Sequence, residues 1–282
     1  MGVLLRAIYN KGIQRFQMEK ELYSFQSNFW KVQWDRQFIG IELPLIVSNN
    51  SISLQRRMSF MAKLNAGYFK STVGQKQIVG LMGLLLCGFV FTHMLGNLII
   101  FIGPEAYNMY AYKLVSNPLI YVAEAGLVAM FVGHIVLTIK LTIHNKKSRP
   151  QAYAVSASGE KKTTLVQKTM AHQGIIILVF LILHLITFKW GTVYTVEYDG
   201  LVVRDLFQLM VEKFNQPLYV VGYLGCLVIL TMHLSHGFQS SFKSLGFNHP
   251  QYEPKIKCAG FAYAAFVGFG FISQPLYIFF FL

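Results

Sequence analysis

Four long stretches of the chain carry no acidic or basic residue apart from histidine: Gln77–Pro104, Thr169–Phe188, Phe214–Phe242 and Cys258–Leu282. A fifth, Asn117–Ile139, is interrupted only by Glu124. A helix needs about 20 apolar residues to cross the hydrocarbon core of a bilayer. The pattern therefore predicts five spans: I (77–103), II (117–139), III (169–188), IV (217–241) and V (258–281). Apolar residues run nearly all round each predicted helix instead of forming one stripe, which excludes a water-soluble amphipathic bundle. The expected fold class is an all-α integral membrane protein, a four-helix bundle plus a fifth helix.

Composition agrees and charge adds the orientation. Of 282 residues, 54% are apolar and 13% charged, against about 25% charged in a soluble domain. The net charge is +13. Nucleic-acid binding would explain that charge but not a mean hydropathy of +0.44. The basic residues cluster before span I (Arg56, Arg57, Lys63, Lys70, Lys76), between II and III (Lys146, Lys147, Arg149, Lys161, Lys162, Lys168) and between IV and V (Lys243, Lys255, Lys257). By the positive-inside rule the N-terminus is cytoplasmic and the C-terminus outside. Residues 1–60 are polar and basic, with no apolar core of a signal peptide. Arg6 stands where a myristoylation motif after Gly2 has Ser or Thr. The segment is read as an extension of no assigned function, poorly ordered or preceding a true start at Met58 or Met61. Cys87, Cys226 and Cys258 form no CxxC pair, so no zinc ribbon, redox dithiol or covalent haem attachment is indicated.

Ionisable residues inside spans default to a functional reading. His93 lies in span I, His134 in II, His184 in III, and His233 and His236 in IV. A lone intramembrane histidine is often a hydrogen-bonded packing residue. One in each of four successive spans points to shared ligands. In the predicted orientation His93 and His184 fall on the outer half, His134 and His233 on the inner half. Each level holds two imidazoles from two helices, the requirement for bis-histidine ligation of a haem iron in a bundle. Zinc would want four ligands at one depth. A proton-relay transporter would want more intramembrane carboxylates than Glu124.

Glycine spacing adds a second signal. Gly83 and Gly174 each precede the outer histidine of their span by ten residues, and Gly126 and Gly225 precede the inner ones by eight. At 1.5 Å per residue these offsets are roughly 12–15 Å. Each glycine then lies near the level of the other pair, where a flat macrocycle needs a small neighbour. Ordinary small-residue helix packing is the competing explanation.

These segments resemble a known family. STVGQKQIVGLMGLLLCGFVFTHMLGNLIIF, QKTMAHQGIIILVFLILHLITFKW and HLSHGFQSSFKSLGF are similar to the first, third and fourth spans of the di-haem cytochrome b subunit of succinate dehydrogenase and fumarate reductase. The resemblance covers about Met61 to Leu282 and not residues 1–60. It implies two haems b, with His93 and His184 ligating the one far from the catalytic subunits and His134 and His233 the near one. It also implies a flavoprotein and an iron–sulfur partner on the cytoplasmic face, and menaquinone as the membrane substrate. His236, three residues past His233, is a candidate propionate or quinone neighbour. His172, Lys76 and Lys168 are candidate propionate partners; both lysines fit positive-inside anchoring equally well. His144 and His249 fall in inner loops as solvated surface.

The chain has no dinucleotide fingerprint and no cysteine set for iron–sulfur clusters, so any dicarboxylate chemistry belongs to partner subunits. Quinone-site candidates gather on the outer side: Asn97, one turn after His93, then Glu105 and Asn108 in a short loop, and Trp190 at the end of span III. Taken singly, most of the residues there also fit an interfacial belt. Glu124 either serves a proton path or reaches the interface. The alternatives are a haem b anchor of another dehydrogenase, such as a hydrogenase or formate dehydrogenase, and a haem-free transporter.

Overall fold

The computed structural model describes residues 67–148, 164–247 and 249–282. The 1–60 extension, the proposed starts at Met58 and Met61, and most of the II–III loop lie outside them. Within the described residues the chain is an all-α, multi-pass membrane protein. Five helices are long and apolar enough to cross a bilayer. They are α1 (Thr72–Asn97, continued by a 3-10 turn at Leu98–Phe101), α3 (Leu119–Lys147), α4 (Met170–His184, continued by a π turn at Leu185–Lys189), α6 (Pro217–Ser244) and α7 (Glu253–Phe281). These are spans I to V in order. Two shorter helices, α2 (Pro104–Ser116) and α5 (Leu206–Phe214), lie at one end.

Local chemistry sets the ends. Ser71 Oγ accepts the Gly74 N–H at 3.1 Å and caps α1. Proline stands in the first turn of α2, α6 and α7, where its missing N–H costs nothing. The helix α6 closes on a Schellman motif. Phe247 N–H donates to Phe242 O at 3.0 Å, Gly246 N–H donates to Lys243 O at 3.2 Å, and Gly246 has φ 101°. The rings of Phe242 and Phe247 pack at 5.8 Å across the motif. The helix α3 runs past the predicted end of span II to Lys147, with His144, Lys146 and Lys147 in its last turn. Cations there favour the negative end of the helix dipole, so the helix continues beyond the apolar stretch. Its 29 residues make it roughly 43 Å long, beyond the ~30 Å hydrocarbon core.

The five long helices pack unequally. The helix α6 lies against α1, α4 and α7, and α1 lies against α3, α6 and α7. The helix α3 packs along α1 and touches α2, while α4 packs along α6. The order around the bundle is therefore α3, α1, α6, α4, with α7 behind α1 and α6. Cys87 and Met94 of α1, Leu234 of α6 and Ala264 and Val267 of α7 are buried together there. Small residues of α7 allow the approach. A Cβ on Gly260 would meet Gln239, one on Gly268 would meet Thr231, and one on Gly270 would meet Met94. Thr231 is short and its hydroxyl is bonded to Leu227 O, so it has little room to yield. Gly268→Val is expected to weaken the α6–α7 contact by roughly 1–3 kcal/mol, read as a lower thermal midpoint in detergent.

One end of the bundle is capped, and the cap is a part the sequence reading did not predict. It consists of α2, a hairpin of β1 (Thr195–Tyr198) and β2 (Leu201–Arg204), and α5. Asp199 and Gly200, with φ 49° and 81°, form the two-residue turn that pairs Tyr198 with Leu201. Asp-Gly is the favoured sequence for a turn with φ > 0 at both positions. Asn108 on α2, fully buried, ties the cap together. Its amide nitrogen donates to Tyr198 Oη (3.2 Å) and Asp205 Oδ1 (2.9 Å), and its oxygen accepts the Phe207 N–H (3.0 Å). Beneath it Ile100, Tyr107, Phe188, Leu209, Phe214, Val220 and Ile278 form an apolar core that joins cap to bundle.

Candidate functional site

The four histidines sit on the four bundle helices, and the structure sorts them by level. Near the cap, His93 of α1 and His184 of α4 face each other with ring centroids 5.9 Å apart and planes at 90°. Metal–imidazole bonds of about 2 Å place two rings on one ion with centroids about 6 Å apart. The helices α1 and α4 are not neighbours in the bundle, so the two rings meet across its interior.

Each ring is held. Phe89 stacks on His93 at 5.5 Å and 13°. Asn97, one turn on, donates from Nδ2 to the His93 carbonyl at 2.8 Å, and its Oδ1 accepts from Tyr107 Oη at 2.8 Å. Its amide nitrogen is 3.5 Å from His93 Nδ1, too far for a strong bond. His184 is the last α-helical residue before the π turn, and π turns recur at functional positions. Its Nδ1 is 2.9 Å from Tyr223 Oη. Beside the pair lies a cavity of about 30 Å³ lined by His93, Asn97, His184, Phe271, Gln274 and Pro275 among others. That is room for at least one water.

The second level follows from the glycines. A Cβ on Gly83 of α1 would lie 3.8 Å from His134 Cε1, and one on Gly174 of α4 would lie 4.0 Å from His233 Cε1. Both glycines precede the His93/His184 level by ten residues on their own helices, roughly 15 Å. His134 of α3 and His233 of α6 therefore share a second level, again on helices that are not neighbours. The Nδ1 atoms of both are buried without a hydrogen-bond partner. Buried polar atoms are normally satisfied, so these two are exceptions within an apolar bundle. Gly83 also abuts Ser241 of α6, whose Oγ would be 2.9 Å from its Cβ. It serves helix packing and leaves room for the imidazole at once.

The other candidates divide. Gly126 and Gly225 border open space, with no atom within 4 Å of a Cβ. His236 is half-buried one turn after His233, while Lys76, Lys168 and His172 are exposed. Of the quinone candidates the structure brings only Asn97 to the histidines. Asn108 is spent on the cap, Glu105 is exposed in the first turn of α2, and Trp190 is 68% exposed. Glu124 pairs with Lys189, bridging α3 to the π turn after α4, so it is an ion-pair partner at the helix ends. Sequence reasoning missed Tyr223, Tyr107 and Gln274. A polar group standing alone in an apolar span was the signal for Tyr223 and Gln274; Tyr107 lay in a segment taken for a loop.

Among the described residues no three His, Cys, Asp or Glu side chains converge on one point. The donor set is two imidazoles per level, which suits an ion whose remaining ligands come from a macrocycle and does not suit a closed zinc site. The chain was compared with protein-family models, curated proteins and solved structures, and it matches none of them.

Proposed function

We propose that the chain is a membrane-anchoring cytochrome b. It binds two haems b and passes electrons between an iron–sulfur subunit on the cytoplasmic face and menaquinone, within a succinate dehydrogenase or fumarate reductase. The observation that carries this reading is the pair of imidazoles at each of two levels, each pair drawn from helices on opposite sides of the bundle. His93 and His184 hold one iron, and His134 and His233 the other. Haem b supplies one-electron carriage between ferric and ferrous states. The chain supplies the rest. Its imidazoles would hold the two irons, Tyr223 would orient His184, Gly83 and Gly174 leave room beside the second level, and the apolar helices keep water from both. The basic residues fix the N-terminus in the cytoplasm and the His134/His233 level nearest the catalytic partners.

The test is purification from native membranes with a pyridine haemochrome assay. Two haems b per chain, with a flavoprotein and an iron–sulfur protein co-purifying, is the expected result. A chain without haem overturns the reading. Haem with a hydrogenase or formate dehydrogenase partner retains the cytochrome and replaces the complex.

A further inference from the structure

The four imidazoles are not held alike. His134 and His233 have no partner at Nδ1, and His93 Nδ1 has only the Asn97 amide nitrogen at 3.5 Å. His184 Nδ1 alone has a short side-chain partner among the described residues, Tyr223 Oη at 2.9 Å. That hydroxyl is fixed by its surroundings. The Tyr223 ring packs against Phe180 of α4 (4.8 Å), Phe188 of the π turn (6.4 Å), Phe214 of α5 (4.9 Å) and Tyr219 one turn earlier (5.8 Å). Phe214 is itself fully buried. The continuous span of α4 and its π turn, together with α5, thus holds the tyrosine beside His184.

We infer that Tyr223 is a positioning residue that keeps the His184 proton on Nδ1 and lowers the redox potential of the iron bound by His93 and His184. The inference rests on the haem reading above. A histidine that gives Nε2 to iron carries its proton on Nδ1, so Tyr223 Oη accepts that hydrogen bond. An acceptor there makes the ring a stronger donor to the metal. A stronger donor favours the ferric state, so the potential falls. The levels differ in this respect, because neither His134 nor His233 has a side-chain partner at Nδ1 among the described residues. The difference biases the level near the cap towards a lower potential than identical surroundings would give.

The experiment is a redox titration of the purified complex carrying Tyr223→Phe. The expected result is an upward shift in the midpoint potential of one haem, with the other unmoved and the ferric EPR signal of the same haem altered. Tyr219→Phe, which removes a neighbouring hydroxyl that does not reach His184, is expected to leave both potentials in place. An unchanged potential in a fully loaded Tyr223→Phe complex, or an equal shift of both haems, overturns the role of Tyr223. Should that variant fail to accumulate in membranes, Phe214→Leu, which loosens the ring cage, is expected to move the same haem upward, and no movement there overturns it equally. Failure of the haem reading is separate and appears first, as a wild-type chain that binds no haem.

Discussion

The His93→Ala chain is expected to bind one haem b where the wild type binds two, and His184→Ala is expected to lose the same spectral species. The two rings face each other at 5.9 Å, so deleting either leaves an iron with one protein ligand. The other level lies roughly 15 Å away along the helices and is built from side chains that neither substitution touches. His134→Ala and His233→Ala are accordingly expected to remove the other species and leave the first. The measurement is a haemochrome count with a low-temperature spectrum on each of the four variants. Loss of one species from His93→Ala and His134→Ala alike would show that the levels are paired wrongly. Tyr223 and Asn97 remain in place in all four variants, so loss of haem is read as loss of a ligand and not as collapse of its supports.

Asn108→Leu is expected to loosen the cap without touching the histidines. Leucine keeps the branching at Cγ and leaves no cavity, so the substitution acts through the lost hydrogen bonds and its own somewhat greater bulk. It removes all three hydrogen bonds of the amide at once. The Phe207 N–H at the start of α5 then has no acceptor. Asp205 keeps its bond to the Gln208 N–H at 2.9 Å, so the helix retains part of its cap. An unsatisfied buried donor costs about 1–3 kcal/mol, and with the two lost donations the expected penalty is about 2–4 kcal/mol. Hydrogen exchange checks it: amides of residues 195–214 should lose protection before those of α6 and α7. Unchanged protection in that stretch would mean that the apolar core beneath, Leu209 and Phe214 above all, holds the cap alone.

The spans were legible because lipid leaves few choices. A bilayer admits only backbone whose hydrogen bonds are closed within the segment, so a charge-free run of sufficient length is a helix wherever it falls. The histidine levels were legible for the same reason: rise per residue turns position into depth. The cap was not, although its signals stand in the sequence. Asp199–Gly200 between Val196 and Val202 is a hairpin pattern. Leu206, Leu209, Met210 and Phe214 repeat with helical spacing. Both went unread because the segment between spans III and IV was weighed only for its charge. Asn108 was assigned to a ligand because a polar residue near an expected site suggests one. Only the fold shows that its amide is used up by Tyr198, Asp205 and Phe207. The role of Tyr223 could not have been read from spacing, since its partner His184 lies on another span, 39 residues away.

The helix α7 carries no histidine, yet its place decides how the two levels behave mechanically. It fastens α1 and α6 into a three-helix keel through Gly260, Gly268 and Gly270. The helices α3 and α4 hang on that keel from one side each. Every level takes one histidine from the keel, His93 or His233, and one from an outrigger, His184 or His134. A tilt of α4 then changes the separation of His93 and His184 near the cap and reaches the far level only through Gly174, beside His233, while a tilt of α3 acts on His134. The two levels share a scaffold, and each draws one histidine from an outrigger of its own.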